Sequence, residues 1–208
     1  MDQGPTKNSL RILGIDPGSL KMGWAVLACQ GPLLRRIDSG TIRLSPRTPL
    51  PERLAAVLQA SERLLGTYPC DVLAIEAAFV RDNPHTALVL GQARGIPIAL
   101  AAARGLPVFE YPPATVKRTL VGSGRAEKSQ MQHMIQTLLA LTALPAEDEA
   151  DALAVAITHA REAGFAMVAQ PNRSSATAAV AAATPAVTPA NTLYLQAVMA
   201  AKSKGRAR

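Results

Sequence analysis

Residues 12–27 read Ile12-Leu13-Gly14-Ile15-Asp16-Pro17-Gly18-Ser19-Leu20-Lys21-Met22-Gly23-Trp24-Ala25-Val26-Leu27. Two short apolar runs flank a connection built from Pro17, Gly18 and Gly23, the pattern of a β-hairpin with a loose turn. Asp16 closes the first run. An acid there stands at the edge of a strand, held in a fixed position, with glycines leaving room beside it. Acids before Pro and Gly also open turns without any further role, so the weight of Asp16 depends on what else reaches the same edge.

Outward from the hairpin, Leu34 to Leu44 is apolar at intervals and makes a third strand, so the first part of the chain reads as an antiparallel meander. Pro51 stands where a helix can begin, and Leu54, Val57, Leu58, Leu64 and Leu65 recur at helical spacing up to Tyr68. Asp71 to Glu76 is a short apolar run between turn residues, a buried strand that again ends on a carboxylate. Asn83 and Pro84 can cap and start a helix running to Arg104. It is apolar around most of its circumference, and Pro97 inside it should bend or interrupt it. Pro107 to Tyr111 is another short strand, and Pro112-Pro113 starts a brief helix to Val121. Gly122-Ser123-Gly124 is a loop, and a further helix spans about Ala126 to Leu141. Pro145 and the acids Glu147, Asp148 and Glu149 open a last helix reaching Arg161; acids in a first turn are favoured by the helix dipole, so some of them need no other explanation. Strands and helices in this order predict an α/β fold with a mixed five-stranded sheet covered by helices on both faces.

The chain has 208 residues, 49% of them hydrophobic, enough for one sizeable core. No stretch reaches the ~18 uninterrupted apolar residues of a membrane helix, and the first ten residues are polar, unlike a signal peptide. A cytosolic location follows as the expectation. Cys29 and Cys70 are too few and too far apart for a disulfide framework or a zinc site and read as reduced thiols. The domain division expected is a disordered lead over residues 1–10, a folded domain over 11–165, and an Ala/Thr/Pro-rich linker with a basic tail over 166–208. The net charge of +7 lies mostly in that tail: no acid follows Glu162, while Arg173, Lys202, Lys204, Arg206 and Arg208 do. A balanced body with a basic end suits a polyanionic partner, although solvated charge on a floppy terminus has the same composition.

Asp16, Glu76, Asp148 and Asp151 are the carboxylates that can share a site. The last two stand three apart, hence on one helix face with Cβ atoms ~5–6 Å apart. Clustered carboxylates raise one another's pKa unless a cation neutralises them, and hard divalent ions such as Mg²⁺ take carboxylate oxygens. In a two-metal site one ion activates water and the other stabilises the leaving oxygen of a phosphodiester.

Six stretches carry a resemblance: Ile12 to Gly18 with Gly23; Ala74-Ile75-Glu76; Leu90-Gly91-Gln92-Ala93-Arg94-Gly95; Val108-Phe109-Glu110-Tyr111; Ala126-Glu127-Lys128-Ser129-Gln130; and Asp148-Glu149-Ala150-Asp151-Ala152-Leu153-Ala154. In this order and spacing, across roughly Arg11 to Ala163, the sequence resembles the RuvC family of Holliday-junction resolvases. The resemblance implies an RNase H-like fold and a homodimeric, Mg²⁺-dependent endonuclease. It implies two ions per site, with Mn²⁺ able to substitute, and paired symmetric cuts in a four-way DNA junction that leave 5′-phosphate and 3′-hydroxyl ends. It sets Asp16, Glu76, Asp148 and Asp151 at the family's four acidic positions. Phe79 matches the aromatic that stacks on an unpaired base, with a core plug beneath the loop as the other reading of this residue. Lys117 and Lys128 match basic positions lining the catalytic cleft. Arg118 and Arg125 are further candidate phosphate contacts with no motif behind them, and His85, His133 and His159 read as packing or helix-face residues. Cooperation with a branch-migration helicase complex is implied by the resemblance alone.

Three other readings compete. A sugar-kinase or actin-like ATPase also follows its first strand with an Asp and glycines, but needs a duplicated half and a second phosphate loop that this chain lacks. A junction-binding protein that does not cut would be favoured by loss of an acid, whereas all four are present. A nuclease of the same fold acting on RNA is separated only by comparing substrates.

Overall fold

The computed structural model describes residues 9–77 and 84–168. Strands β1 (Leu10–Asp16), β2 (Lys21–Gln30) and β3 (Leu33–Arg43) are followed by helix α1 (Leu50–Thr67), strand β4 (Val72–Glu76), helix α2 (Pro84–Ala103) and strand β5 (Val108–Tyr111), then helices α3 (Pro113–Val121), α4 (Lys128–Leu138) and α5 (Glu147–Val168). The strands form one sheet in the order β3-β2-β1-β4-β5. The β1–β2 and β2–β3 pairs are antiparallel, whereas β1–β4 and β4–β5 are parallel. This is the mixed five-stranded sheet the sequence predicts. The expected linker and tail over 166–208 and all of the lead before Ser9 lie almost entirely outside the described residues, as does Phe79. Leu10, assigned to the lead, instead pairs with Cys29 as the first residue of β1.

Alternation along the strands decides what each face buries. Ile12, Ala25, Leu27, Val72 and Ala74 face α3, α4 and α5, packing with Leu120, Ile135, Leu153 and Ile157. Leu13, Ile15, Met22, Val26, Leu73 and Ile75 face the other way, onto Val57 and Leu64 of α1 and Ala101 of α2. Asp16 and Glu76 therefore belong to the α5 face. They end neighbouring parallel strands in which Ile15 pairs with Ile75, so the next residue of each stands side by side.

Several local expectations are corrected. The second strand starts at Lys21, so Gly23, which the sequence places both in the connection and at the start of a strand reaching Cys29, is a strand residue paired with Asp16. It is a glycine because a Cβ there would lie 2.7 Å from the carbonyl carbon of Asp148 and closer still to its oxygen. Pro97 leaves α2 uninterrupted and falls in its buried stripe Val89, Ala93, Pro97, Ala101. The opposite side of α2 stays uncovered, with Leu88 63% exposed. Helix α4 is shorter than predicted at both ends. Glu127 and Gln130 form a capping box that starts it at Lys128, and beyond it Ala140 takes a left-handed φ of 48° that ends the helical path. Both cysteines are free, with Cys29 buried.

Candidate active site

The acids come together because two strand ends and one helix start meet at the same sheet edge. Helix α5 crosses β1 and β2 at unusually close range. A Cβ on Gly14 would lie 2.9 Å from Ala156 Cβ and nearer still to the Ala152 carbonyl, and Gly23 meets the Asp148 carbonyl in the same manner. Residues 148, 152 and 156 are one stripe of the helix, so two glycines let its underside settle onto the sheet. The first turns of α5 are thereby brought over the end of β1, with Asp148 and Asp151 beside Asp16.

Electrostatics follow from that crowding. Asp16 is pushed up to about 9, first by burial, then by the charge of Glu76 and a hydrogen bond with it, with Asp151 and Asp148 adding smaller repulsions. Asp16 is partly buried, and the three carboxylates that face it push in the same upward direction as its burial. Asp151 is pushed up to about 6 by burial, with Lys128 pulling the other way. Two lysines offset part of the negative charge: Lys21 Nζ lies 3.8 Å from Asp148 Oδ2, and Lys128 Nζ lies 4.0 Å from Asp151 Oδ2 while pairing with Glu147. The hydrogen bond to Glu147 raises the Lys128 ammonium pKa. Arg94 braces the end of β4, donating from Nε to the Glu76 carbonyl at 3.3 Å while its guanidinium pairs with Glu110 at 2.5 Å.

The donor set fits a hard divalent cation. It is made of carboxylate oxygens alone, and the burial and mutual repulsion that push the Asp16 pKa up are what a bound cation would offset. As the side chains stand, no three of the described His, Cys, Asp or Glu residues enclose a common point at ligating distance. Asp148 and Asp151 are turned toward their lysines, and ligation requires them to rotate.

The other predicted residues distribute differently. Lys128 joins the acids. Lys117 and Arg118 lie on α3 and Arg125 in the loop after it; none forms an ion pair among the described residues, and Arg125 helps line an open hollow with Ser123, Gln130 and His133, away from the carboxylates. His159 is a packing residue, 4.6 Å from the Phe109 ring centroid and with Nδ1 2.8 Å from the Tyr111 hydroxyl. Sequence reasoning missed Lys21. The hairpin register carries its signal, because pairing of Asp16 with Gly23 puts Lys21, two residues from Gly23, on the same face.

A five-stranded mixed sheet with acids at the ends of its first and fourth strands and on its last helix defines the RNase H-like class of nucleases. The fold is similar to a Thermus thermophilus RuvC solved in complex with a Holliday junction substrate, with a TM-score of 0.71 and 31% identity over 76% of this chain and 96% of that one. The yeast mitochondrial Holliday junction resolvase Ydc2 shares the fold at a TM-score of 0.57 and 15% identity. The family model for crossover junction endodeoxyribonuclease RuvC matches residues 12–159. Curated relatives of that description include those of Marinobacter nauticus, 48% identical over 72% of this chain and 85% of the relative, and Cronobacter sakazakii, 50% identical over 71% and 85%. The chain belongs to the RuvC family of crossover junction endodeoxyribonucleases, a family of metal-dependent enzymes that hydrolyse phosphodiester bonds.

Proposed function

We propose that this protein resolves four-way DNA junctions by paired, symmetric hydrolysis of phosphodiester bonds, with Asp16, Glu76, Asp148 and Asp151 holding two Mg²⁺ ions for which Mn²⁺ can substitute. The observation that carries the reading is the meeting of four carboxylates from β1, β4 and α5 at one sheet edge in a chain of this family. Bound there, the ions supply a water of lowered pKa and positive charge for the leaving oxygen. The chain's own residues do the rest. A cation bound there would favour the ionised form of Asp16 and would compete with Lys21 and Lys128 for the carboxylates of α5. Those ammonium groups are 56% and 63% exposed, so Lys21, and Lys128 while still paired with Glu147, can meet phosphate oxygens of the strand being cut. Water attacks phosphorus and the 3′-oxygen departs, which leaves a 5′-phosphate and a 3′-hydroxyl.

Lys117, Arg118 and Arg125 extend the positive surface for the junction arms, and Phe79 stacks on a base at its centre. Two opposed cuts call for two sites related by a twofold axis, and the junction has matching symmetry. The uncovered apolar side of α2 supports a homodimer formed through that helix. A helicase complex that moves the branch point, and a cytoplasmic location, complete the proposal.

The test is cleavage of a labelled mobile four-way junction beside linear duplex and an RNA–DNA hybrid, with Mg²⁺ or EDTA. Paired nicks in the junction alone, lost in EDTA, are expected. Cutting of the hybrid in preference would overturn the substrate, and tight junction binding without cutting would overturn the chemistry.

A further inference from the structure

Edge strand β3 reaches the start of α5 through a contact that the chemistry above leaves unused. Between Val26 and Leu27 the β2–β3 register slips: Val26 pairs with Asp38 and Leu27 with Arg36, so Ile37 has no residue opposite. In a regular strand Arg36 and Ser39, three apart, would point to opposite faces. The bulge turns both to the α5 face, re-aiming side chains as bulges do.

There they hold one carboxylate. Arg36 Nη1 donates to Glu149 Oε1 at 3.1 Å and to Ser39 Oγ at 3.2 Å, and the Ser39 hydroxyl donates to the same Glu149 oxygen at 2.5 Å. Glu149 Oε2 faces the Ala146 N–H at 3.4 Å. The Glu149 side chain is 15% exposed. Of the three acids in the first turn of α5, Glu147 pairs with Lys128 and Asp148 with Lys21 at the start of β2, while Glu149 reaches across to the edge strand β3.

The tie restrains a motion the glycine contacts leave open. Gly14 and Gly23 meet α5 along its underside, at Asp148, Ala152 and Ala156, which sets the height and line of the helix. Packing of Leu153 and Ile157 against α3 and α4 holds the middle of the helix, but in its first turn contacts along one line do not prevent a local roll about the axis. A roll of about 15° would carry a side chain ~5 Å from the axis through roughly 1.3 Å, beyond the ~0.5 Å within which a site must be held. Glu149 lies off that line, and its Oε1 is held by two groups of β3.

We infer that Glu149, clamped by Arg36 and Ser39, is a positioning residue that fixes the roll of α5 and so sets Asp148 and Asp151 against Asp16 and Glu76. The inference rests on the reading of those four acids as cation ligands. Groups that orient ligands from behind typically change metal affinity 10- to 100-fold when removed.

The experiment uses the full chain in two assays, the Mn²⁺ concentration giving half of the metal-induced rise in Tm without DNA, and the Mg²⁺ concentration giving half-maximal junction cleavage. Glu149→Ala should raise both midpoints about tenfold. Glu149→Gln, which keeps an oxygen for Ser39 and Arg36, should stay within about twofold of wild type, and Ser39→Ala should fall between. A wild-type midpoint in Glu149→Ala, even with a lowered metal-free Tm, would reduce Glu149 to a stabilising contact and overturn the inference. Glu149→Gln as impaired as Glu149→Ala would do the same, since charge and not geometry would then matter. If Glu149→Ala does not fold, an unchanged midpoint in Ser39→Ala overturns it. Asp148→Asn run alongside separates the levels: a normal midpoint there removes the ligand reading and the inference with it, whereas a lost metal response there beside a normal one in Glu149→Ala removes the inference alone.

Discussion

Replacing Gly23 with alanine tests how the site is assembled. The added Cβ would lie 2.7 Å from the Asp148 carbonyl carbon and nearer to its oxygen, where real contacts of a Cβ begin at 3.0 Å and are ordinary from 3.4 Å. Both clashing atoms are backbone, and the neighbouring Ala152 Cβ at 3.4 Å offers no slack. The first turn of α5 must therefore move off the sheet by something near an ångström. Overpacking of this kind costs about 1–3 kcal/mol, and at roughly 2–4 °C per kcal/mol for a domain of this size Tm should fall by several degrees. The larger effect should be on chemistry, because a misplacement of about 1 Å in a reacting geometry can cost ~10²-fold in rate. Single-turnover cleavage of a labelled junction at saturating Mg²⁺, with binding measured in EDTA and Tm by calorimetry, reads the three quantities separately. Junction binding should persist while the cleavage rate drops by about two orders of magnitude. A Gly23→Ala protein that melts several degrees lower yet cuts within twofold of wild type would refute the claim that this close approach places Asp148.

Asp16→Asn and Asp148→Asn each remove a ligand charge at nearly constant volume and should retain junction binding while abolishing cleavage; normal rates in gel assays of both would overturn the site. Phe79→Ala should slow cleavage while Tm and metal response stay at wild-type values; an unchanged rate with a lower Tm would instead make Phe79 a core residue. His159 is buried and depressed from its usual 6.5 to about 4 by loss of solvation, so the unfolded chain binds a proton before the folded one does. Its contribution is intact above pH 6.5 and lost as pH falls toward 4, about 3 kcal/mol in all at ~1.4 kcal/mol per unit. Asp16 and Asp151, raised to about 9 and about 6, act in the opposite sense over part of that range, so the check compares urea-unfolding free energies of wild type and His159→Gln between pH 7 and 4. A parallel pH dependence in the two proteins would contradict the burial argument.

Much of the sheet is legible in the sequence because alternation in residues 12–27 and the apolar run 71–76 are local signals, and each ends on its acid. Strand ends and helix spacing single out the four acids as candidates, and the resemblance sets them at the family's acidic positions; the strand order is not legible, since periodicity cannot say that β4 pairs beside β1. What local reading misses depends on contacts far along the chain. Gly23 looks like a turn glycine, yet its reason is the Asp148 backbone. Ala140 bears no mark of a helix end, yet it takes a left-handed φ just beyond α4. Lys21 and Glu149 look like ordinary surface charge and first-turn chemistry. Their partners appear only once the hairpin register and the β3 bulge are known.

The central claim is that Asp16, Glu76, Asp148 and Asp151 hold the ions used in catalysis. Anomalous scattering from crystals of the full chain grown or soaked with Mn²⁺ tests it most directly. The account predicts anomalous peaks among these four carboxylates, with Asp148 and Asp151 turned from Lys21 and Lys128, and their loss in Asp16→Asn. Mn²⁺ bound elsewhere, or no peak at this edge under conditions in which the same protein cuts junctions, would contradict it.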